Sequence, residues 1–102
     1  MAGINILGKN AKKIIWNDFL EGYSKLNLTS IEVFPIPQEL GFKEDCIGAC
    51  VHSDYNDKTE VLNQLKVLVD FLLKRQFKMT ELYDGMEIST DNVIPICDKL
   101  LG

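Results

Sequence analysis

Histidine, arginine and tryptophan each occur only once in these 102 residues, at His52, Arg75 and Trp16. With a single histidine, every general-base or serine–histidine–acid reading depends on His52. No Gly-x-Gly-x-x-Gly occurs, and "GKN" at Gly8 to Asn10 lacks the rest of a phosphate-binding loop. No apolar run approaches the ~20 residues that span a bilayer. The opening "MAGINILGKNAKK" has no charged leader followed by a long apolar core, so the expected location is the cytoplasm. Three cysteines, an odd number, fit a reducing compartment better than a disulfide framework. On that view the sequon "NLT" at Asn27 to Thr29 is a chance match. Internal repeats and low-complexity tracts are also missing.

What is present is a globular composition, with 46% hydrophobic and 25% charged residues. A chain of this length buries a core without needing disulfides or metal, so one domain and no cofactor are expected. Fifteen acidic against eleven basic residues leave a formal charge of −4. That balance opposes nucleic acid and anionic membrane surfaces and favours a protein or small-molecule partner. Two lysine groups, Lys9/Lys12/Lys13 and Lys74/Arg75/Lys78, run against it. The second falls where cations offset a helix dipole.

Along the chain, "INIL" at Ile4 to Leu7 reads as a short strand. From Asn10 to Leu26 the apolar positions Ala11, Ile15, Phe19, Tyr23 and Leu26 recur at three and four residues, the period of a helix with one buried face. "TSIEVFPI", Thr29 to Ile36, is β-branched, aromatic and closed by prolines, which suits an edge strand. "CIGACVHS" reads as a strand bounded by acids. Asp57 with Glu60 three residues on resembles a capping box and starts the longest helix, Lys58 to about Gln76. Asp84-Gly85 between two β-like runs predicts a hairpin with a two-residue turn, and "DNVIPICDKLLG" a last short helix with Pro95 in its first turn.

This order gives an α+β two-layer sandwich: a mostly antiparallel sheet of four to five strands with two long helices on one face. If "INIL" pairs into the sheet, the first six elements follow the βαββαβ order of ferredoxin-like folds. Without it, the order is similar to that of small acidic secretion chaperones or roadblock-type dimers. No shared motif accompanies either likeness, so neither assigns a family.

The densest chemistry lies in "DCIGACVHSD". Cys46, Cys50, His52 and Cys97 would make a Cys3His zinc set, but a strand holds Cys46 and Cys50 about 13 Å apart at ~3.3 Å per residue. They cannot share one ion bound at ~2.3 Å, and no metal is expected. Cys50 and His52 fall on the same strand face and compose the alternative reading, a thiol-dependent enzyme or redox sensor. The plainer reading has Cys46, Gly48 and Cys50 on one face and Ile47, Ala49 and Val51 on the other, a strand covered on both sides. The acidic run "SDYNDKTE" is not a calcium loop, since the positions that need Gly and Glu hold Thr59 and Leu65.

The second helix is broadly apolar. Val61, Leu62, Leu65, Leu68, Val69, Leu72 and Leu73 share one face, Val67 and Phe71 lie on another flank, and Asn63, Lys66, Asp70 and Lys74 form the polar stripe. Such a helix needs cover from the sheet and from something else, either its own chain or a second subunit. Trp16 and Leu20, at the margin of the first helix, extend the patch. The leading expectation is therefore a small, acidic, non-enzymatic interaction module, a binder, inhibitor, immunity or chaperone type. It would be dimeric, with Trp16, Leu20, Val67 and Phe71 at the interface.

Overall fold

The computed structural model describes residues 4–10, 15–36, 45–51, 57–82 and 85–101. Eight elements follow one another: β1 (Ile4–Asn10), α1 (Trp16–Ser24), β2 (Ile31–Ile36), β3 (Asp45–Val51), α2 (Lys58–Lys74), β4 (Lys78–Glu81), β5 (Glu87–Ile88) and α3 (Val93–Leu101). The strands form one sheet in the order β2-β3-β1-β4-β5, and every neighbouring pair is antiparallel. β1 and β2 consequently run parallel to each other with β3 between them. That is the split βαβ arrangement of ferredoxin-like folds, to which β5 and α3 are added. The fold is the expected α+β two-layer sandwich, with a third helix in the helical layer.

The first strand is longer and more central than "INIL" implies. Asn10 is its last residue, opposite Asp45, and its side-chain amide donates to the carbonyl of Arg75 at 2.9 Å. The first helix accordingly does not begin at Asn10. It starts at Trp16, behind an Ile15 that supplies no side-chain cap. Residues 11–14, Ala11 among them, lie outside the described residues. The helix ends at Ser24, two residues short of Leu26, whose amide donates back to Tyr23 in a closing turn, and Asn27 then takes a left-handed φ of 53°, which asparagine tolerates.

The second helix is capped as its sequence indicates: Asp57 Oδ1 accepts from the amides of Thr59 and Glu60 at 3.0 and 3.4 Å. It stops at Lys74, two residues short of the expected end. Gln76 has a left-handed φ of 67°, and the amides of Gln76 and Phe77 turn back onto Leu73 and Leu72. The hairpin is present too, with Gly85 at φ 67°. Its loop is longer than two residues, because Thr80 pairs with Glu87 and the Glu81 amide donates to Met86. In the last helix Pro95 sits in the first turn, where no amide is needed.

All three helices pack on one face of the sheet. Leu65, Leu68, Val69 and Leu72 of α2 are sealed against Ile4, Ile6, Ile47 and Met79, with Phe19 from α1 and Val93, Cys97 and Leu101 from α3 completing the core. Each buried aliphatic side chain stabilises the fold by roughly 1.5–3 kcal/mol relative to exposure. Most of the broad apolar arc of α2 is thus covered by the sheet, α1 and α3 of the same chain, with Leu73 left exposed at its margin. Among the described residues no helix is long and apolar enough to cross a membrane.

Two strand glycines differ in what surrounds them. A Cβ at Gly8 would lie 3.0 Å from Ile47 Cγ1 and 3.3 Å from Phe77 Cδ1, both in the core. A Cβ at Gly48 would lie 2.4 Å from Cε2 of Phe34, whose ring lies across the glycine but remains 44% exposed. Gly8→Ala is expected to cost about 1–3 kcal/mol in urea denaturation, the range for overpacking a core. Gly48→Ala should cost less, since the Phe34 ring can swing into solvent. Equal losses would show that Phe34 is held in place.

Candidate interaction surfaces

Alternation along β3 sends Ile47, Ala49 and Val51 into the core and Cys46, Gly48 and Cys50 to the face away from the helices. Cys50 is half-buried, between Asn5 of β1 and Glu32 of β2 in the register. Its thiol pKa is raised, first by burial and then by the Glu32 carboxylate. A nucleophilic cysteine needs the opposite shift, so this environment weakens the thiol-enzyme reading. His52, its supposed base, lies outside the described residues. Cys97 lies in α3 on the other side of the sheet, and among the described residues no three His, Cys, Asp or Glu side chains converge as a metal set.

Sequence reasoning passed over Glu81. In "KMTE" the alternation turns Met79 and Glu81 inward, and Glu81 is 0% exposed. A carboxyl placed on the inward phase of a strand was the available signal. Its neighbour Cys97 is fully buried, and its thiol pKa is pushed up to about 12 by burial first and by Glu81 second. The pair reads as a core feature, closed to solvent, and not as a reaction centre.

The four expected interface residues separate. Phe71 is 7% exposed: Phe19 and Tyr23 of α1 meet its ring edge-on at centroid distances of 5.6 and 6.2 Å, and the Arg75 guanidinium stacks on it at 3.6 Å. The helical wheel of α2 alone could not show that α1 supplies this cover. Phe71 is therefore a core residue and not part of a free surface. Trp16 is half-buried and stacks on Phe19 at 5.2 Å, continuing the same aromatic row. Leu20 and Val67 are exposed, Val67 by 44%.

Val67 also lines a cleft of about 530 Å³ between the start of α2 and the connection from α1 to β2. Leu26, Leu28 and Val67 give it an apolar wall, while Asp57, Glu60 and Asn63 give it a polar one. Gln64 ties the two sides together: its Oε1 accepts from the Ser30 amide at 2.9 Å and its Nε2 donates to Thr29 Oγ1 at 3.2 Å. Among the described residues no lysine or arginine lines the cleft.

A second surface is the sheet face away from the helices. Register places Phe34, Gly48, Leu7, Thr80 and Glu87 in one row across the five strands. On one side lies the row Glu32, Cys50 and Asn5, continued by Leu82, whose amide donates to Asn5. On the other lies the row Ile36, Cys46, Lys9 and Lys78. Among the described residues of this face Phe34 and Leu82 are exposed, Leu82 by 57%, whereas Leu7, Gly48 and Cys46 are buried.

These placements carry two predictions. Phe71→Ala should cost about 3–5 kcal/mol in urea denaturation, as for other buried aromatics, and Val67→Ala within about 0.5 kcal/mol, as for surface changes. Comparable losses at the two positions would contradict the burial of Phe71. For Cys97, the folded-state thiol pKa lies above the unfolded value, so the neutral thiol's contribution to stability is complete below pH 9.0 and is lost as the pH rises to about 12. Wild-type stability should accordingly fall more steeply over that alkaline window than that of Cys97→Ala. Parallel slopes in denaturation curves taken across it would remove the thiol from the account.

No protein family, curated protein or solved structure matches the chain, so the functional reading rests on its surfaces.

Proposed function

We propose that this chain is a non-enzymatic protein-interaction module that holds a basic segment of a partner protein in the cleft beside α2. The carrying observation is the cleft's lining, two carboxylates and an apolar wall, with no basic side chain among the described residues that line it. A lysine or arginine side chain matches both parts, its aliphatic stem on Leu26, Leu28 and Val67 and its charged head at Glu60 and Asp57. The two acids together outweigh the roughly half-unit positive charge of the α2 N-terminus. The formal charge of −4 adds long-range attraction for a basic surface, which raises association rates more than affinity. Leu20 and Val67 keep the place the sequence gives them on an exposed surface, and Val67 is the one that reaches the cleft.

The test is to titrate the protein with a lysine-rich peptide and, separately, with a glutamate-rich peptide of equal length, following backbone amide shifts by NMR. With the basic peptide alone, shifts are expected at Leu26, Leu28, Asn63 and Val67. They should weaken as salt is added and vanish in Glu60→Lys. Shifts of the same size with both peptides, or spread away from the cleft, would remove this reading.

A further inference from the structure

The three helices of the helical layer are held unequally. α1 and α3 are the same length, nine residues each. α3 seals Val93, Ile96, Cys97 and Leu101 in the core and α2 seals six side chains, whereas α1 seals Phe19 alone. The start of α1 lacks the side-chain cap that Asp57 gives α2. Among the described residues no ion pair ties α1 to another element. The bond from the Tyr23 hydroxyl to the carbonyl of Ile31 is long, at 3.4 Å. What holds α1 down is the aromatic row, in which Phe19 meets Phe71 and Phe77 edge-on at 5.6 and 5.9 Å and Tyr23 meets Phe71 at 6.2 Å.

The chain leaving α1 divides at Asn27. On the near side, the Leu26 amide donates to the carbonyl of Tyr23 at 3.0 Å and so belongs to the closing turn of the helix. On the far side, Gln64 of α2 holds Thr29 and the amide of Ser30, and Ile31 then enters the sheet opposite Val51. Asn27 itself is exposed at its left-handed φ of 53°. Residues at the ends of elements are where hinges absorb their backbone rotation.

We infer that α1 is an arm that opens by itself: the segment from Ile15 to Leu26 swings off Phe71 and Phe77 about Asn27 while the sheet, α2 and α3 stay folded. Elements with few buried contacts open locally, at a free energy below that of global unfolding. The hinge falls within the lining of the cleft, to which Leu26, Asn27 and Leu28 all contribute. Leu26 leaves with the arm and Leu28 stays with the segment that Gln64 holds, so the apolar wall is complete only while α1 is docked. A ligand that needs this wall holds α1 shut, and by the same linkage a partner that draws α1 away weakens binding in the cleft. The arm acts on the cleft whatever occupies it, and so stands apart from the basic-segment reading.

Native-state amide exchange of the protein without any ligand tests this, read as protection relative to the unfolded chain. Amides from Phe19 to Ser24 and that of Leu26 should be protected about tenfold less, or weaker still, than those of Leu65, Leu68, Val69 and Leu72. Their protection should also fall less steeply with added urea, since opening exposes less surface than unfolding. Asp57→Ala removes the cap of α2, a helix that is folded both before and after the arm opens. It should lower protection in α2 about fivefold, the worth of a cap, and leave that of α1 unchanged. Phe19→Ala can do no more than release the arm. α2 and the sheet should then keep their native amide shifts while the fluorescence of Trp16 moves toward that of an exposed indole. Amides of α1 and α2 that exchange together would overturn the inference. Equal losses in the two helices of Asp57→Ala would do the same, as would loss of the native α2 shifts in Phe19→Ala.

Discussion

The structure depends on burying one strand from three directions. β1 is hydrogen-bonded on both edges, to β3 and β4, and lies beneath α2. Ile4 and Ile6 on that strand meet the sealed leucines of α2, so the sheet and the helical layer share a single seam. The other elements extend outward from it: β2 and β5 continue the sheet to either side, and α1 and α3 cover the parts of α2 that the sheet cannot reach. Conformational entropy opposes fixing any of these elements alone, and only their joint burial offsets it. That explains why the apolar arc of α2, which looks like a surface for another molecule when the helix is read alone, is largely used within the chain.

Much of this was legible in the sequence where the signal is local. The start of α2 follows from one carboxylate two and three residues ahead of the amides it accepts, a contact within a single turn. The inward and outward sides of β3 follow from simple alternation, and the placement of β2 on an edge from its prolines. Where the reading erred, the deciding contact was remote in sequence. Asn10 is a poor strand former, yet it is held in β1 by pairing with Asp45 and by a bond to Arg75, sixty-five residues away. Phe71 is enclosed by aromatics of α1, which no pattern within α2 can reveal. Glu81 stood in plain alternation but was hidden by its charge, since acids are so seldom buried.

The chemistry-bearing residues show the same separation. Cys97 is in the core on the helical side of the sheet, whereas Cys46 and Cys50 are on the other side, four residues apart on one strand. The sheet keeps these thiols apart, and where it crowds them it does so with carboxylates, which suppress the thiolate instead of promoting it. Reactivity is thereby traded for packing. The feature left over for recognition is a cleft with one polar and one apolar wall, made from ordinary side chains whose meaning lies in their arrangement.

The two outer strands carry a consequence for behaviour at high concentration. A long, regular sheet edge is a template on which further chains can add without limit. Here β5 has only two residues, and β2 carries Pro35, which has no amide to offer. Prolines on edge strands keep the side without an N–H toward solvent, where an invading strand would need a donor, and Pro35 stands in the edge strand opposite Ile47. Open-ended growth by strand addition is therefore obstructed at both edges of the described sheet.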